Sequence, residues 1–257
     1  MDEVTARALD GINRVFYETW ADDFSATREA PWRGWERLVP HVLEAADGAT
    51  LRVLDVGCGN GRLAGFLGDR LATRQIALDY HGVDASARLL ALARERETRA
   101  SFTCGDFAAT PGEALPPGPF GLVALFGVLH CVAGRARRRH LLEVAAERLA
   151  AGGVLAVARW RFAESERFGG KRIPWETWNA RAEAPVDPEA LEPGDHLLSW
   201  GAQGAVRYCH AVDPAELDAL TKGLPLSRVD LYRADGREAD LNEYAIFRAA
   251  TGGGRLG

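Results

Sequence analysis

The sequence predicts an α/β chain built on one doubly wound, mostly parallel sheet of seven strands with helices on both faces. Three observations predict it. Short apolar runs alternate with segments of helical periodicity from about residue 49 to residue 160, the pattern of repeated strand–helix units. Arg52-Val53-Leu54-Asp55-Val56 runs into Gly57-Cys58-Gly59-Asn60-Gly61-Arg62, and Leu63, Phe66, Leu67 and Leu71 follow at helical spacing. That reads as strand, glycine turn, helix. Two later strands finish on or beside an aspartate, Asp84 and Asp106, and ligands of such sheets sit beyond the carboxyl ends of the strands.

Composition narrows the class. A chain of 257 residues, 47% of them hydrophobic, suits one substantial domain with an insertion. No run approaches the roughly 18 apolar residues of a membrane span, and Met1-Asp2-Glu3-Val4 lacks the basic-then-apolar order of a signal peptide. A cytoplasmic protein without a membrane partner is expected. Cys58, Cys104, Cys131 and Cys209 are scattered without a C-x-x-C pair, which fits free thiols and neither a disulfide frame nor a metal site. The net charge of −5 argues against unaided, non-specific nucleic-acid binding. It leaves room for a local basic patch around Arg135–Arg139, Arg161 and Lys171-Arg172.

Val4, Ala8, Ile12, Val15, Phe16 and Trp20 form a helical stripe. In residues 17–32 aromatic and polar residues then alternate until Pro31 interrupts, and a second helix is expected over about 35–46. Together residues 1–48 form an N-terminal helical cap. The core, 49–160, holds strands at 51–56, 80–84, 101–107, 122–126 and 154–158, with Ser86 capping a helix over 87–97. Residues 110–121 read as a loop. The arginine-rich run 135–140 opens a helix that is expected to reach Ala151 and stop at Gly152-Gly153. Cations at that helix start oppose its dipole and hint at a compensating anion. Residues 161–210 break the alternation and are too aromatic for a disordered linker, so they read as a substrate-facing insertion. The remainder, 211–250, starts a helix with Asp213-Pro214-Ala215-Glu216, read as a capping box. Strands at 226–234 and 243–249 close the sheet, and 251–257 is expected to fray.

The glycine register selects a ligand class. Dinucleotide enzymes use G-x-G-x-x-G, whose third glycine lets helix and strand approach closely; here that position is Arg62. The string Asp55-x-Gly57-x-Gly59-x-Gly61 instead resembles the first motif of class I S-adenosylmethionine-dependent methyltransferases, and with it the Rossmann-like fold of that class. The resemblance implies S-adenosylmethionine as cofactor and S-adenosylhomocysteine as product. Asp55, Gly57, Cys58 and Gly59 form the turn, Asp84 accepts the two ribose hydroxyls, Asp106 accepts from the adenine amino group and Phe107 packs on the base, with Ala85 and Phe126 completing the cofactor-binding set. Tyr17 and Arg28 close over the methionine end, with Arg28 pairing its carboxylate.

A narrower resemblance runs along nearly the whole chain. Phe24-Ser25-Ala26-Thr27-Arg28-Glu29-Ala30-Pro31-Trp32 is similar to the F-S-x-T-R-x-x-P-W segment of the eukaryotic tRNA wobble-uridine carboxymethyl methyltransferases. Val128-Leu129-His130, the arginines at 137–139, Asp195–Trp200 and Arg207-Tyr208-Cys209-His210 resemble further segments of that family. Cys131, Ser199 and Cys209 depart from its V-I-H-H, D-x-L-V-P-W and R-Y-Y-H patterns, and Gly121 stands where an aspartate is common. The resemblance implies methyl-ester formation on 5-carboxymethyluridine of tRNA, with a small zinc-binding activator protein as partner.

A carboxylate is already ionised at neutral pH, so methyl transfer to it requires alignment rather than a base. His130, Arg159, Arg207 and His210 are accordingly candidate groups that position the acceptor. Trp32, Trp160 and Tyr208 are candidates for framing it, since stacking on an extruded base contributes about 1–3 kcal/mol. Two other readings stand beside this one: a small-molecule O- or N-methyltransferase, in which His130 acts as base for an acceptor of high pKa, and a non-catalytic cofactor-binding protein.

Overall fold

The computed structural model describes residues 1–46 and 48–251; the expected fraying of the tail from 252 onward lies outside the described residues. Three helices open the chain: α1 (Glu3–Thr19), α2 (Ala21–Ala26) and α3 (Trp35–Glu44). The alternating core follows as β1 (Thr50–Val56), α4 (Arg62–Ala72), β2 (Ala77–Asp84), α5 (Ala87–Arg96), β3 (Ser101–Cys104), α6 (Pro111–Ala114), β4 (Phe120–Phe126), α7 (Arg135–Glu147) and β5 (Leu149–Trp160). Residues 161–210 hold α8 (Glu166–Gly169), β6 (Arg172–Ile173), α9 (Trp175–Asn179), β7 (Asp195–Trp200) and β8 (Ala205–His210). The chain ends with α10 (Pro214–Thr221), β9 (Leu226–Ala234) and β10 (Asn242–Ala249).

The main sheet has seven strands in the order β3-β2-β1-β4-β5-β10-β9. The first five run parallel, and β10 lies antiparallel between β5 and β9. Side chains alternate across the sheet. Leu54, Val56, Val123 and Leu125 meet Leu141, Leu142, Leu217 and Leu220 of α7 and α10 on one face. Leu51, Val53, Leu122 and Ala124 meet Leu38, Val42, Leu63 and Leu67 of α3 and α4 on the other. The order of strands reverses between β1 and β4, where the glycine turn lies, so the cavity is placed by topology.

Above the carboxyl ends of the strands, β6, β7 and β8 form a separate antiparallel sheet. Leu197 and Tyr208 of this sheet share a core cluster with Ala6 and Leu9 of α1. The N-terminal helix and the 161–210 segment thus pack on each other over the parallel sheet.

Three local expectations are corrected. Helix α7 ends at Glu147, not near Ala151, and Gly152-Gly153 lies within β5, in the irregular stretch between the Phe120–Leu149 and Leu122–Val154 pairs. Asp213 does cap α10, accepting from Glu216 N at 2.7 Å. The Glu216 side chain, however, is bonded to Arg138 and His210, so the reciprocal half of the capping box is not formed. A short helix, α6, also interrupts the expected loop at 110–121.

The arginine run finds its anions within the protein. Arg137 bridges to Asp10 and Glu3, each at 2.6 Å. Arg139 meets Glu143 at 2.7 Å and two backbone carbonyls. Arg138 is 1% exposed and donates to Glu192, Glu216 and the Val132 carbonyl. Arg161 is likewise bound to Glu164 and Asp240. Removing one member of a buried ion network strands the others without compensation. Arg138→Met is therefore expected to lower unfolding free energy by about 3–5 kcal/mol in denaturant titration, whereas Arg135→Met, at an exposed position, stays within about 0.5 kcal/mol.

Candidate active site

The glycine turn is shaped by close approach. Gly57 has φ +69°, and a Cβ there would lie 2.7 Å from a Val128 methyl. Gly61 has φ +75° and would bring a Cβ within 3.1 Å of Ala93 and Phe102. Both positions exclude other residues on conformation and space together. The Gly59 N–H donates to one oxygen of Asp84 at 2.8 Å and Ser86 N–H to the other at 2.9 Å. Burial raises the Asp84 pKa against the lowering effect of these bonds. Asp55 stands behind the turn and accepts from the Tyr80 hydroxyl. Burial, with the charge of Asp84 added, outweighs that bond and raises the Asp55 carboxyl to about 7.

A cavity of about 720 Å³ opens over the turn. Tyr17, Arg28, Asp55, Gly57, Cys58 and Gly59 line it, as do Asp84, Ala85, Asp106, Phe107 and Phe126. Residues from opposite ends of the fold therefore meet around one space. Asp106 is exposed and lies two residues past the end of β3, where its carboxylate accepts Ala109 N–H at 2.9 Å.

The segment over the cavity is anchored by residues that sequence reasoning missed. Asn60 is 5% exposed and donates to Ser25 Oγ at 2.8 Å and to the Arg28 carbonyl at 3.3 Å. Arg62 donates to the Ala30 carbonyl at 3.0 Å and lays its guanidinium 4.9 Å from the centre of the Trp32 ring. Their position in the turn was the available signal, but nothing in the sequence pairs them with residues some 32 positions earlier. Trp32 itself packs near Trp35, Phe126 and Tyr244 and also lines the cavity. The Arg28 guanidinium sits 3.4 Å over the Phe24 ring and bonds only to neutral oxygens. Burial, then the charge of Arg207, lower its pKa to about 9, which leaves it cationic at neutral pH.

His130, Trp160 and Arg207 meet at the other end of the cavity. The guanidinium carbon of Arg207 lies 4.7 Å from the Trp160 ring centre and 5.6 Å from that of Phe16. Arg207 is 6% exposed, its Nε has no partner, and no carboxylate pairs with it among the described residues. His130 is buried beside Trp160, with ring centres 5.2 Å apart, and its Nδ1 is unpartnered. Burial, then the charges of Arg207 and Arg28, lower its pKa to about 3. It is neutral at ordinary pH and a poor proton acceptor.

Three predicted site residues lie outside this cavity. Arg159 is 2% exposed and is held by Glu243 and Glu164, each at 2.7 Å. His210 is bonded to Asp195 at 2.6 Å and to Glu216 at 2.8 Å. Tyr208 donates its hydroxyl to Asp195 at 2.7 Å. Strand alternation explains the division: Arg207 faces the cavity, so Tyr208 and His210, one and three residues further along β8, both face the other side. Trp160 and Arg159 are separated in the same way on β5. Glu192, Asp195 and His210 cluster closely enough to hold a metal ion, but Arg138, 2.6 Å from Glu192, already balances this charge.

Residues 54–155 match the family model described as a methyltransferase domain. No curated protein matches the chain. Similar solved structures include an S-adenosylmethionine-dependent methyltransferase from Clostridium acetobutylicum, at 12% identity and TM-score 0.63, covering 91% of this chain and 99% of that one. The amino pentose methyltransferase CalS10 from Micromonospora echinaspora, solved with S-adenosylmethionine, gives 20% identity, TM-score 0.58 and coverage of 89% and 96%. The N-methyltransferase NodS from Bradyrhizobium japonicum, solved with S-adenosylhomocysteine, gives 19% identity, TM-score 0.53 and coverage of 95% and 98%. Residues 54–155 thus form a methyltransferase domain, and the chain has the Rossmann-like fold shared by the solved methyltransferases to which it is similar. No described helix is long and apolar enough to cross a membrane.

His210 supplies a pH test of the network outside the cavity. Burial alone lowers its pKa, but the bonds to Asp195 and Glu216 outweigh that and raise it above 6.5. Its stabilising effect is therefore full below pH 6.5 and is lost as pH rises through the folded-state value. Melting temperatures across pH 5–9 should show this fall in the native protein and a flatter profile in His210→Gln.

Proposed function

We propose that the enzyme transfers a methyl group to the carboxylate of a small organic acid, forming a methyl ester. The observation that carries this reading is the buried, unpaired guanidinium of Arg207 between two aromatic rings. With its faces covered, it offers its N–H edge, which matches a planar oxyanion. A buried cation without an anion is costly, and a bound carboxylate supplies the missing charge. An ammonium acceptor is disfavoured by the same cation and by Arg28. A high-pKa alcohol would need a base, and His130 at about 3 is a poor one.

The cavity residues fit the cofactor. A Cβ built on Gly59 meets nothing within 4 Å, leaving the turn open for a ligand. In this reading Asp84 accepts the ribose hydroxyls beside Ala85, with Asp106, Phe107 and Phe126 around the base. Arg28 pairs the methionine carboxylate and Tyr17 closes over it. S-adenosylmethionine supplies an electrophilic methyl group. Bound there, it would supply that methyl group to a carboxylate oxygen of the acceptor, which is already ionised, so no residue of this chain need move a proton. Arg207 orients the acceptor, neutral His130 offers it a hydrogen bond, and Trp32 and Trp160 frame its body. Residues 1–48 cap the cofactor and 161–210 face the acceptor. Arg159, His210 and Tyr208 support the fold.

The tRNA form of this reaction is the second reading. The Phe24–Trp32 and Arg207–His210 segments favour it, and it brings with it the zinc-binding activator. Against it, Arg137, Arg138, Arg139 and Arg161 are engaged within the protein, which removes most of the basic patch that a polyanion would need. The small acceptors named for CalS10 lend support to the small-molecule form.

Labelled cofactor should place alkali-labile label in the acid fraction of a metabolite extract and none in bulk tRNA, with this chain alone. Label confined to tRNA would reject the small-molecule form, and alkali-stable label would reject ester formation. Arg207→Gln is expected to lower acceptor kcat/KM at least 100-fold with S-adenosylhomocysteine affinity within about threefold. Asp84→Ala should weaken that affinity at least tenfold in calorimetry. No limb near the histidine reference value of about 6.5 should appear in the pH–rate profile.

A further inference from the structure

Asn13 belongs to no cofactor or acceptor contact named so far. It is 6% exposed, lies mid-way along α1 and lines the cavity. Its side-chain oxygen accepts the Tyr208 backbone N–H at 3.0 Å, and its amide nitrogen donates to the Cys131 carbonyl at 3.4 Å. These two backbone groups are far apart in sequence. One immediately follows Arg207 on β8, and the other immediately follows His130 beyond β4.

The need for such a link is physical. Strand β8 is an edge of its three-stranded sheet, so it carries N–H groups with no strand beside them. Buried donors of this kind require a partner. Helix α1 covers that edge, and Asn13 is the side chain that meets it. The Cys131 carbonyl belongs to a single 3-10 turn, Leu129–Cys131, whose own ladder is too short to satisfy all its carbonyls. An amide has one acceptor end and one donor end, and here each end is taken by a different segment.

We propose that Asn13 is a positioning residue for the acceptor site, setting the spacing between Arg207 and His130 by bridging the segments that carry them. It touches neither methyl donor nor acceptor in this role. The inference rests on the reading of Arg207 and His130 as the acceptor end of the cavity. Because the third tie point is α1, the acceptor end also depends on the N-terminal helix being in place.

The test uses the full chain with Asn13→Leu, which removes both bonds at similar volume, and Asn13→Asp, which keeps the acceptor for Tyr208 N–H and loses the donor to Cys131. Acceptor KM, kcat, S-adenosylhomocysteine affinity and melting temperature are measured together. The expected result is an acceptor KM raised at least tenfold in both variants, with S-adenosylhomocysteine affinity within about twofold and a folded protein at assay temperature. A role in folding alone would leave KM unchanged in the folded fraction, and a role in the cofactor site would weaken S-adenosylhomocysteine instead; either result overturns the proposal. If neither variant alters any of the four measurements, it is also overturned. Failure of the ester reading is separate, because it would show first as the absence of methylated acid with the native protein.

Discussion

One carboxylate holds the glycine-turn end of the cavity together. Asp84 accepts from the Gly59 and Ser86 backbone N–H groups, and so fastens the turn after β1 to the turn after β2. The glycines that make this possible are set by space as well as conformation, since Val128 from the loop after β4 presses on Gly57. Three strand ends therefore have a single relative arrangement. The covering segment depends on it in turn, because Asn60, held within the same turn, carries the bonds to Ser25 and Arg28.

The two ends of the cavity differ in electrostatic character. Carboxylates and backbone donors dominate near the glycine turn. At the other end, Arg207 is a cation enclosed by rings, beside an imidazole that burial keeps neutral. Among the described residues, Arg138 and Arg159 are as buried as Arg207 but are each held by carboxylates, so its lack of one is informative.

Much of the fold was legible in the sequence because the strands are buried runs and the helices carry clear periodicity. Ser86 and Asp213 marked helix starts through hydrogen bonds that are local. The residues around the glycine turn were legible for the same reason. Legibility ended where partners are remote. Arg159 and His210 carry functional-looking side chains, but their acids come from Glu243 and Glu216 on other elements. The arginine run suggested an external anion because Asp10, Glu3 and Glu192 lie far off in sequence. Gly152-Gly153 looked like a helix stop, yet it lies within β5, in the irregular stretch between the Phe120–Leu149 and Leu122–Val154 pairs.

The core cluster shared by α1 and the β7–β8 sheet has a kinetic consequence. Leu9, Leu197 and Tyr208 are buried against one another rather than against the parallel sheet alone, so the roof over the cavity is one cooperative unit. Because these side chains leave their common cluster together, loosening of the helix and loosening of the hairpin sheet are linked, with a free energy of opening distinct from that of the β1–β5 platform. The platform can stay protected while the roof turns over.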